Sequence, residues 1–373
     1  MPSRGMPIES LAETLRSVYP ELEGIAAAGE DPVYLVGGAV RDLLLGRGRA
    51  DIDVVVVGDP VALAAALGVA TLAEHERFAT ATVELDGHEI DIAAARTETY
   101  ERPGALPTVA AAADIEADLG RRDFTINAMA IPLGGDARLI DLHEGRADLE
   151  HGLLRVLHPG SFRDDPTRAI RAARYAARFD FDLAGETAEL VLATDLDTIS
   201  ADRRRAELTR LAGEESAPLG FELLADWGLL ELRGGGVALA AAVTELLAME
   251  PWSGEASRAE AILAAALGPA GGEAELAAAD PQRPSQGVEL ARGRDPVELA
   301  LARALGAEWL DEYLRSWRSV SLEIDGSDLL VAGVPEGPAV GRGLEAAMRR
   351  KLDGEVRGRE EELAVALGAA RER

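Results

Sequence analysis

Residues 33–57 read VYLVGGAVRDLLLGRGRADIDVVVV. The apolar run Val33–Val36 predicts a short strand, Ala39–Leu45 a helix entered through Gly37 and Gly38, and Ile52–Val57 a second, buried strand. Strand, helix and strand in succession make an α/β unit. Two glycines after a strand let the backbone approach a phosphate, and the helix that follows offers it free N–H groups. Arg41, early in that helix, adds a guanidinium fork for the same phosphate. Asp51 and Asp53 stand two residues apart at the start of the second strand, so both project from one face. Adjacent carboxylates repel unless a cation sits between them, and hard oxygen ligands with room for phosphate suit Mg²⁺. Asp91, in the predicted strand Glu89–Ala93, is a third candidate for the same catalytic group. A tight turn and a solvated strand end would explain either element alone. GxGxxG spacing is absent, which weakens a dinucleotide reading. Together, the glycine turn and the same-face Asp pair favour metal-assisted phosphoryl or nucleotidyl transfer.

Working outward, Phe78–Leu85 and Glu89–Ala93 alternate like a hairpin around Asp86-Gly87. Thr97–Ala113 carries Pro103, Gly104 and Pro107 with no clear period, and reads as a loop long enough to have a role. From about Leu153 strand signals nearly vanish, and Ala/Leu-rich helices run to the end.

Two further constellations carry chemistry. Arg121-Arg122-Asp123-Phe124-Thr125-Ile126-Asn127-Ala128 offers donors for a triphosphate and, in Asp123 and Asn127, polar groups for a ribose. An ion-paired surface patch with Asp123 capping a helix fits the same residues equally well. Asp164-Asp165-Pro166-Thr167-Arg168 continues to Arg171, Arg174 and Arg178, spaced to share one helical face, with Ile170, Ala173 and Ala177 off it. Read plainly, Asp165 is an N-cap before Pro166, and the arginines are a solvated stripe.

The chain has 373 residues, enough for two or three lobes. Its 47% hydrophobic and 28% charged residues describe a foldable chain rather than a disordered one. A net charge of −28 argues against coating nucleic acid by bulk attraction. A polyanion must instead find local basic islands, such as residues 161–178, with five Arg against two Asp, or residues 341–351. The turn Gly337-Pro338-Ala339-Val340-Gly341 before that second island serves equally as a phosphate contact or as a helix-to-helix turn. Zero Cys excludes disulfides, thiolate catalysis and Cys-based zinc. No apolar run reaches the roughly 18–20 residues a bilayer needs, and the start, MPSRGMPIESLAETL, reads as an amphipathic helix rather than a signal. A cytoplasmic protein with no membrane partner is expected. Trp227, Trp252, Trp309 and Trp317 are expected in cores.

GGAVRDLLLG with DID, RRDFTINAMA, and DDPTRAIRAARYAARFDF resemble, in order and spacing, the motifs of bacterial tRNA nucleotidyltransferases. These are the class II CCA-adding enzymes, in the same branch as bacterial poly(A) polymerases. Ile199–Leu211 (ISADRRRAELTRL) resembles the next motif, and the segment from Ile324 (IDGSDLLVAGVPEGPAVGRGLEAAMRR) resembles the tail. The resemblance implies an α/β head of the polymerase-β-type nucleotidyltransferase fold followed by an all-α neck, body and tail, at 1–153, 154–215, 216–320 and 321–373. It implies Asp51 and Asp53 as Mg²⁺ ligands and Gly38, Arg41 and Arg122 as triphosphate contacts. Asp165 and Arg168 match the pair that reads the incoming base, with Arg171 and Arg174 near the nucleotide. Two departures stand out: Asp164 where Glu is usual, and Ala79 where Gly is usual. The implied partners are tRNA and ATP or CTP, and the implied state is a monomer or weak homodimer.

Base reading by side chains has a physical basis. Cytosine and adenine each present an exocyclic amine beside a ring-nitrogen acceptor. A carboxylate accepts from the amine, and a guanidinium donates to the ring nitrogen. Guanine and uracil present a carbonyl and an N–H there, and each buried mismatch costs about 1–3 kcal/mol. A poly(A) polymerase acting on general RNA ends shares these motifs, and a non-catalytic RNA-binding relative is a reading of another class. Within the family the wording RTETYERPGALP in the Thr97–Ala113 segment resembles A-adding members, so A addition is expected alongside or instead of CC addition.

Overall fold

The computed structural model describes residues 11–48, 51–69, 71–75, 80–135, 137–269 and 271–371. Ala79, the expected strand start at Phe78 and the first ten residues of the predicted N-terminal helix lie outside the described residues. The chain divides into two compact units, Met1–Ser216 with Leu223–Leu230, and Ala217–Glu222 with Glu231–Arg373. The expected sequence of an α/β head and a helical remainder is what the chain adopts.

The first unit is built on β1 (Val33–Val36), β2 (Ile52–Val56), β3 (Thr71–His75), β4 (Thr80–Leu85) and β5 (His88–Ala94). A separate hairpin, β6 (Arg96–Thr99) and β7 (Thr108–Ala111), follows, then β8 (Met129–Pro132) and β9 (Ile140–Asp141). The main sheet has seven strands in the order β3-β4-β5-β2-β1-β8-β9. Its β2–β5 pair is parallel, and the other neighbours run antiparallel. The strand period of two sorts β2 cleanly. Ile52, Val54 and Val56 face the main core with Ile90 and Ile92 of β5. Val55 faces the other way, into a small cluster with Val36, Ile115 and Leu119. The helix Ile115–Leu119 therefore covers only one end of that second face, and the Asp53 end stays open.

Two local expectations are corrected. Thr97–Ala113 is not an irregular loop, because Arg96–Thr99 pairs antiparallel with Thr108–Ala111. Every residue of β7 is exposed, so no buried face imprints an alternation on the sequence. Asp123 caps no helix: a single 3₁₀ turn, Thr125–Asn127, leads straight into β8. Met129, Ala130 and Ile131 are buried on both sides between β1 and β9, and such a continuous apolar run cannot be told from a helix by its period.

Every regular element among the second unit's described residues is a helix. Pro338–Leu352 and Gly358–Arg371 close a core of Ile324, Leu329, Ala347 and Ala366, small side chains standing where aromatics are scarce. Trp252 is fully buried with its indole N–H donating to Asp311 at 2.8 Å, while Trp309 and Trp317 are half-buried, as is Trp227 in the first unit. Among the described residues no helix is long and apolar enough to cross a membrane.

Candidate active site

The first unit carries a cleft of about 1040 Å³ over the open end of the sheet. Its lining includes every site residue expected from the sequence: Gly37, Gly38, Arg41, Asp51, Asp53, Asp91, Arg122, Asp123, Asn127, Asp165, Arg168, Arg171 and Arg174.

The floor is acidic. Asp53 and Asp91 are direct cross-strand partners in the parallel β2–β5 register, and Asp51 lies two residues before Asp53 on the same side. Neighbouring strands lie about 4.8 Å apart, so these carboxylates crowd one another. Asp53 is accessible to solvent, yet the protein around it displaces enough water to raise its carboxyl above the usual range. Arg122 opposes that rise, and Asp91 and Asp51 add to it. The Thr82 hydroxyl donates to Asp91 at 2.6 Å. Among the described residues none of the three aspartates has an ion-pair partner, and no three acidic or imidazole groups are already gathered at metal-binding distance. The donor set is all oxygen, and its unneutralised repulsion is the property a hard divalent cation relieves. These residues fit such an ion.

Beside the floor, Gly37 turns the chain with φ +66°, and a Cβ there would stand 2.8 Å from Arg122 Nη1. Only glycine lets the turn and the guanidinium share that space. Arg41 is buried, donating to Asn127 Oδ1 at 2.6 Å and to Asp42 at 2.8 Å. Its fork thus ties the helix that follows the glycine turn to Asn127.

The opposite wall is the helix Thr167–Phe179. Its arginines are not a solvated stripe: Arg168, Arg171, Arg174 and Arg178 all line the cleft. Arg171 and Arg174 stack over Tyr175 at 5.5 and 4.9 Å, and Arg178 stacks over Phe179 at 5.3 Å. Asp165 Oδ1 accepts from the Thr167 N–H (3.0 Å) and hydroxyl (2.6 Å), which keeps its capping role, and from Arg203 Nη2 at 2.8 Å. Arg168 Nη1 donates to Ser161 Oγ and Nη2 to the Arg121 carbonyl, both at 2.7 Å. Among the described residues Asp165 Oδ2 and Arg168 Nε take no hydrogen bond, leaving one acceptor and one donor at the cleft.

Asp123 accepts from Asn127 Nδ2 at 3.0 Å and pairs with Arg171 at 2.7 Å. Burial alone would push its carboxyl up, but Arg171 and Asn127 together bring it down to about 2. Its folded pKa lies below the unfolded value near 3.9, so the pair's stabilisation is fully present above about pH 4 and is lost as pH falls towards 2. We expect Asp123→Asn to cost about 2 kcal/mol, a penalty constant from pH 7 to about 4 and shrinking below. Urea midpoints measured across that range check it, and a penalty that does not shrink in acid removes the pair from the stability balance.

Several lining or supporting groups were not anticipated. Glu98 and Tyr100 line the cleft from the hairpin that the sequence hides. Glu207 lines it from the helix Ala201–Ala212, and Arg203 on that helix also donates to the Gly104 carbonyl at 2.8 Å. Asp118 stands four residues before Arg122 and grips its guanidinium, an i,i+4 acid–base spacing that was open to reading.

A family model described as "Poly A polymerase head domain" matches residues 33–155. The CC-adding tRNA nucleotidyltransferase of Deinococcus radiodurans is 36% identical over 92% of this chain and 91% of its own length. The A-adding tRNA nucleotidyltransferase of Halalkalibacterium halodurans is 44% identical, over 52% of this chain and 48% of that protein. The chain spans half or less of the length of the first A-adding relatives it matches. Among solved structures, the Thermotoga maritima CCA-adding enzyme complexed with tRNA superposes with a TM-score of 0.75 at 27% identity, over 96% of this chain and 98% of that one.

Proposed function

The chain belongs to the class II CCA-adding enzyme family of tRNA nucleotidyltransferases, and from that premise we propose that it extends tRNA 3′ ends with CMP, AMP or both, consuming CTP and ATP. One observation carries the reading: unneutralised carboxylates face an arginine-lined helix across a single cleft that also holds a glycine turn. In the proposed reaction the tRNA 3′-oxygen attacks the nucleotide α-phosphorus in line, and the bond to the β-phosphate breaks to release pyrophosphate. Gly37, Gly38, Arg41 and Arg122 hold the triphosphate. Asp165 accepts from the base's exocyclic amine, and Arg168 donates to its ring nitrogen. Asp51 and Asp53, with Asp91 beside them, would hold Mg²⁺. When bound there, the ion activates the attacking hydroxyl and offsets charge on the leaving pyrophosphate.

We further propose a cytoplasmic enzyme, monomeric or weakly dimeric, with a head at 1–153, neck at 154–215, body at 216–320 and tail at 321–373. The wording RTETYERPGALP, which resembles A-adding members and folds into the Arg96–Ala111 hairpin, supports A addition within its range. The deciding assay offers CTP and ATP separately to tRNA lacking CCA, tRNA ending in its first C, and tRNA ending in its second C. Extension by one to three nucleotides supports the reading, and AMP transfer to the CC end identifies A addition. Long tails on a generic RNA would make it a poly(A) polymerase instead, and no incorporation at all would leave an RNA-binding relative.

A further inference from the structure

Asp118 lies outside the cleft lining, and its side chain is wholly buried, yet five donors converge on it. Its Oδ1 accepts from Arg121 Nη2 (2.7 Å) and Nε (3.0 Å) and from the Arg96 backbone N–H (3.2 Å). Its Oδ2 accepts from Arg122 Nη2 (2.9 Å) and Nε (3.2 Å). Building on the function proposed above, we propose that Asp118 is the positioning residue that aims Arg122 at the nucleotide's triphosphate.

Two guanidiniums adjacent in sequence repel, and one buried carboxylate between them removes that repulsion. Holding Arg122 by Nε and Nη2 turns Nη1 towards the Gly37 turn, where a phosphate approaches and where its one hydrogen bond is a long 3.5 Å contact to the Asn127 carbonyl. Arg122 also feels the charge of Asp53. Released from Asp118, its guanidinium can swing onto that carboxylate and block the floor. The clamp reaches further, because the carbonyls of Arg121 and Arg122 accept from Arg168, and the Arg96 N–H roots the β6–β7 hairpin. Burial opposes ionisation of Asp118, but the two arginines hold its carboxyl below the usual range, so it stays charged.

The test is Asp118→Asn in the full chain, read by KM and kcat for CTP and ATP and by calorimetric binding of inorganic tripolyphosphate without tRNA. The amide turns a donor towards one guanidinium. We expect KM to rise about tenfold for both nucleotides in parallel, the CTP-to-ATP preference to hold, and tripolyphosphate binding to weaken by a similar factor. In an Arg122→Ala background the same substitution should add less than twofold, since the group it positions is gone. Unchanged tripolyphosphate binding, or an equal effect in both backgrounds, would overturn the proposal. If Asp118→Asn does not fold, Arg122→Lys keeps the charge but cannot take both bonds, and a wild-type KM in that variant would overturn it equally. A wild-type chain that binds tripolyphosphate in an Asp118-dependent way, yet transfers no nucleotide, supports the clamp and sinks the transferase reading alone.

Discussion

Asp53→Asn is expected to lower nucleotide transfer at least a thousandfold while tRNA binding and folding stay close to wild type. The asymmetry follows from where the residue stands. Asp53 projects from the open end of the sheet, opposite the face that buries Ile52, Val54 and Val56, so the substitution opens no cavity. It also removes one of three mutually repelling carboxylates, and the raised Asp53 pKa shows that the charged form is disfavoured there. Melting temperature should therefore hold or rise slightly. The reaction loses a ligand for the divalent ion, and loss of metal-assisted charge stabilisation is worth several kcal/mol, or about three orders of magnitude in rate. Radiolabelled incorporation, a melting curve and a tRNA gel shift on one preparation separate the two effects. Incorporation within tenfold of wild type would remove Asp53 from the metal site. A parallel collapse of the melting temperature would recast it as structural.

How far the sequence disclosed this site depends on the distance over which each relation acts. The Gly37-Gly38 turn and the Asp51/Asp53 pair were legible because spacing and local geometry encode them: a positive φ that only glycine tolerates, and a strand period of two. That Asp91 sits directly across from Asp53 is a matter of register, and register is set by which strands share a core rather than by either strand alone. The β6–β7 hairpin was hidden because half-buried β6 and exposed β7 leave no periodic trace, and Glu98 and Tyr100 were lost with it. The arginine stripe on Thr167–Phe179 had the spacing of an ordinary solvated face. What makes it a wall is tertiary: the Asp123–Arg171 pair and the carbonyls of residues 121 and 122 that accept from Arg168, added to stacking on Tyr175 and Phe179 within the helix itself. Arg203 reaching Asp165 across 38 positions could be found only in three dimensions.

Arg168→Ala is expected to relax base choice by roughly 10- to 100-fold, read as the ratio of kcat/KM for CTP to that for UTP. The structure complicates the simplest version of this experiment. Arg168 is buried, and its terminal nitrogens satisfy Ser161 Oγ and the carbonyls of Arg121 and Arg122. Removing it leaves those acceptors unpaired and should cost about 1–3 kcal/mol of stability besides any loss of recognition. Total activity is then a poor readout, because it falls with the folded fraction. A ratio of specificity constants cancels the concentration of active enzyme, so a merely structural Arg168 leaves it unmoved. A base reader lowers it, since the donor that rejects the N–H of uracil is gone while the carboxylate of Asp165 remains. Asp165→Ala removes the complementary half and should relax the same ratio while also freeing Arg203, whose guanidinium otherwise shares that carboxylate. If both variants lose activity but keep the wild-type CTP-to-UTP ratio, the helix holds the cleft together without reading the base, and selectivity must arise from another wall.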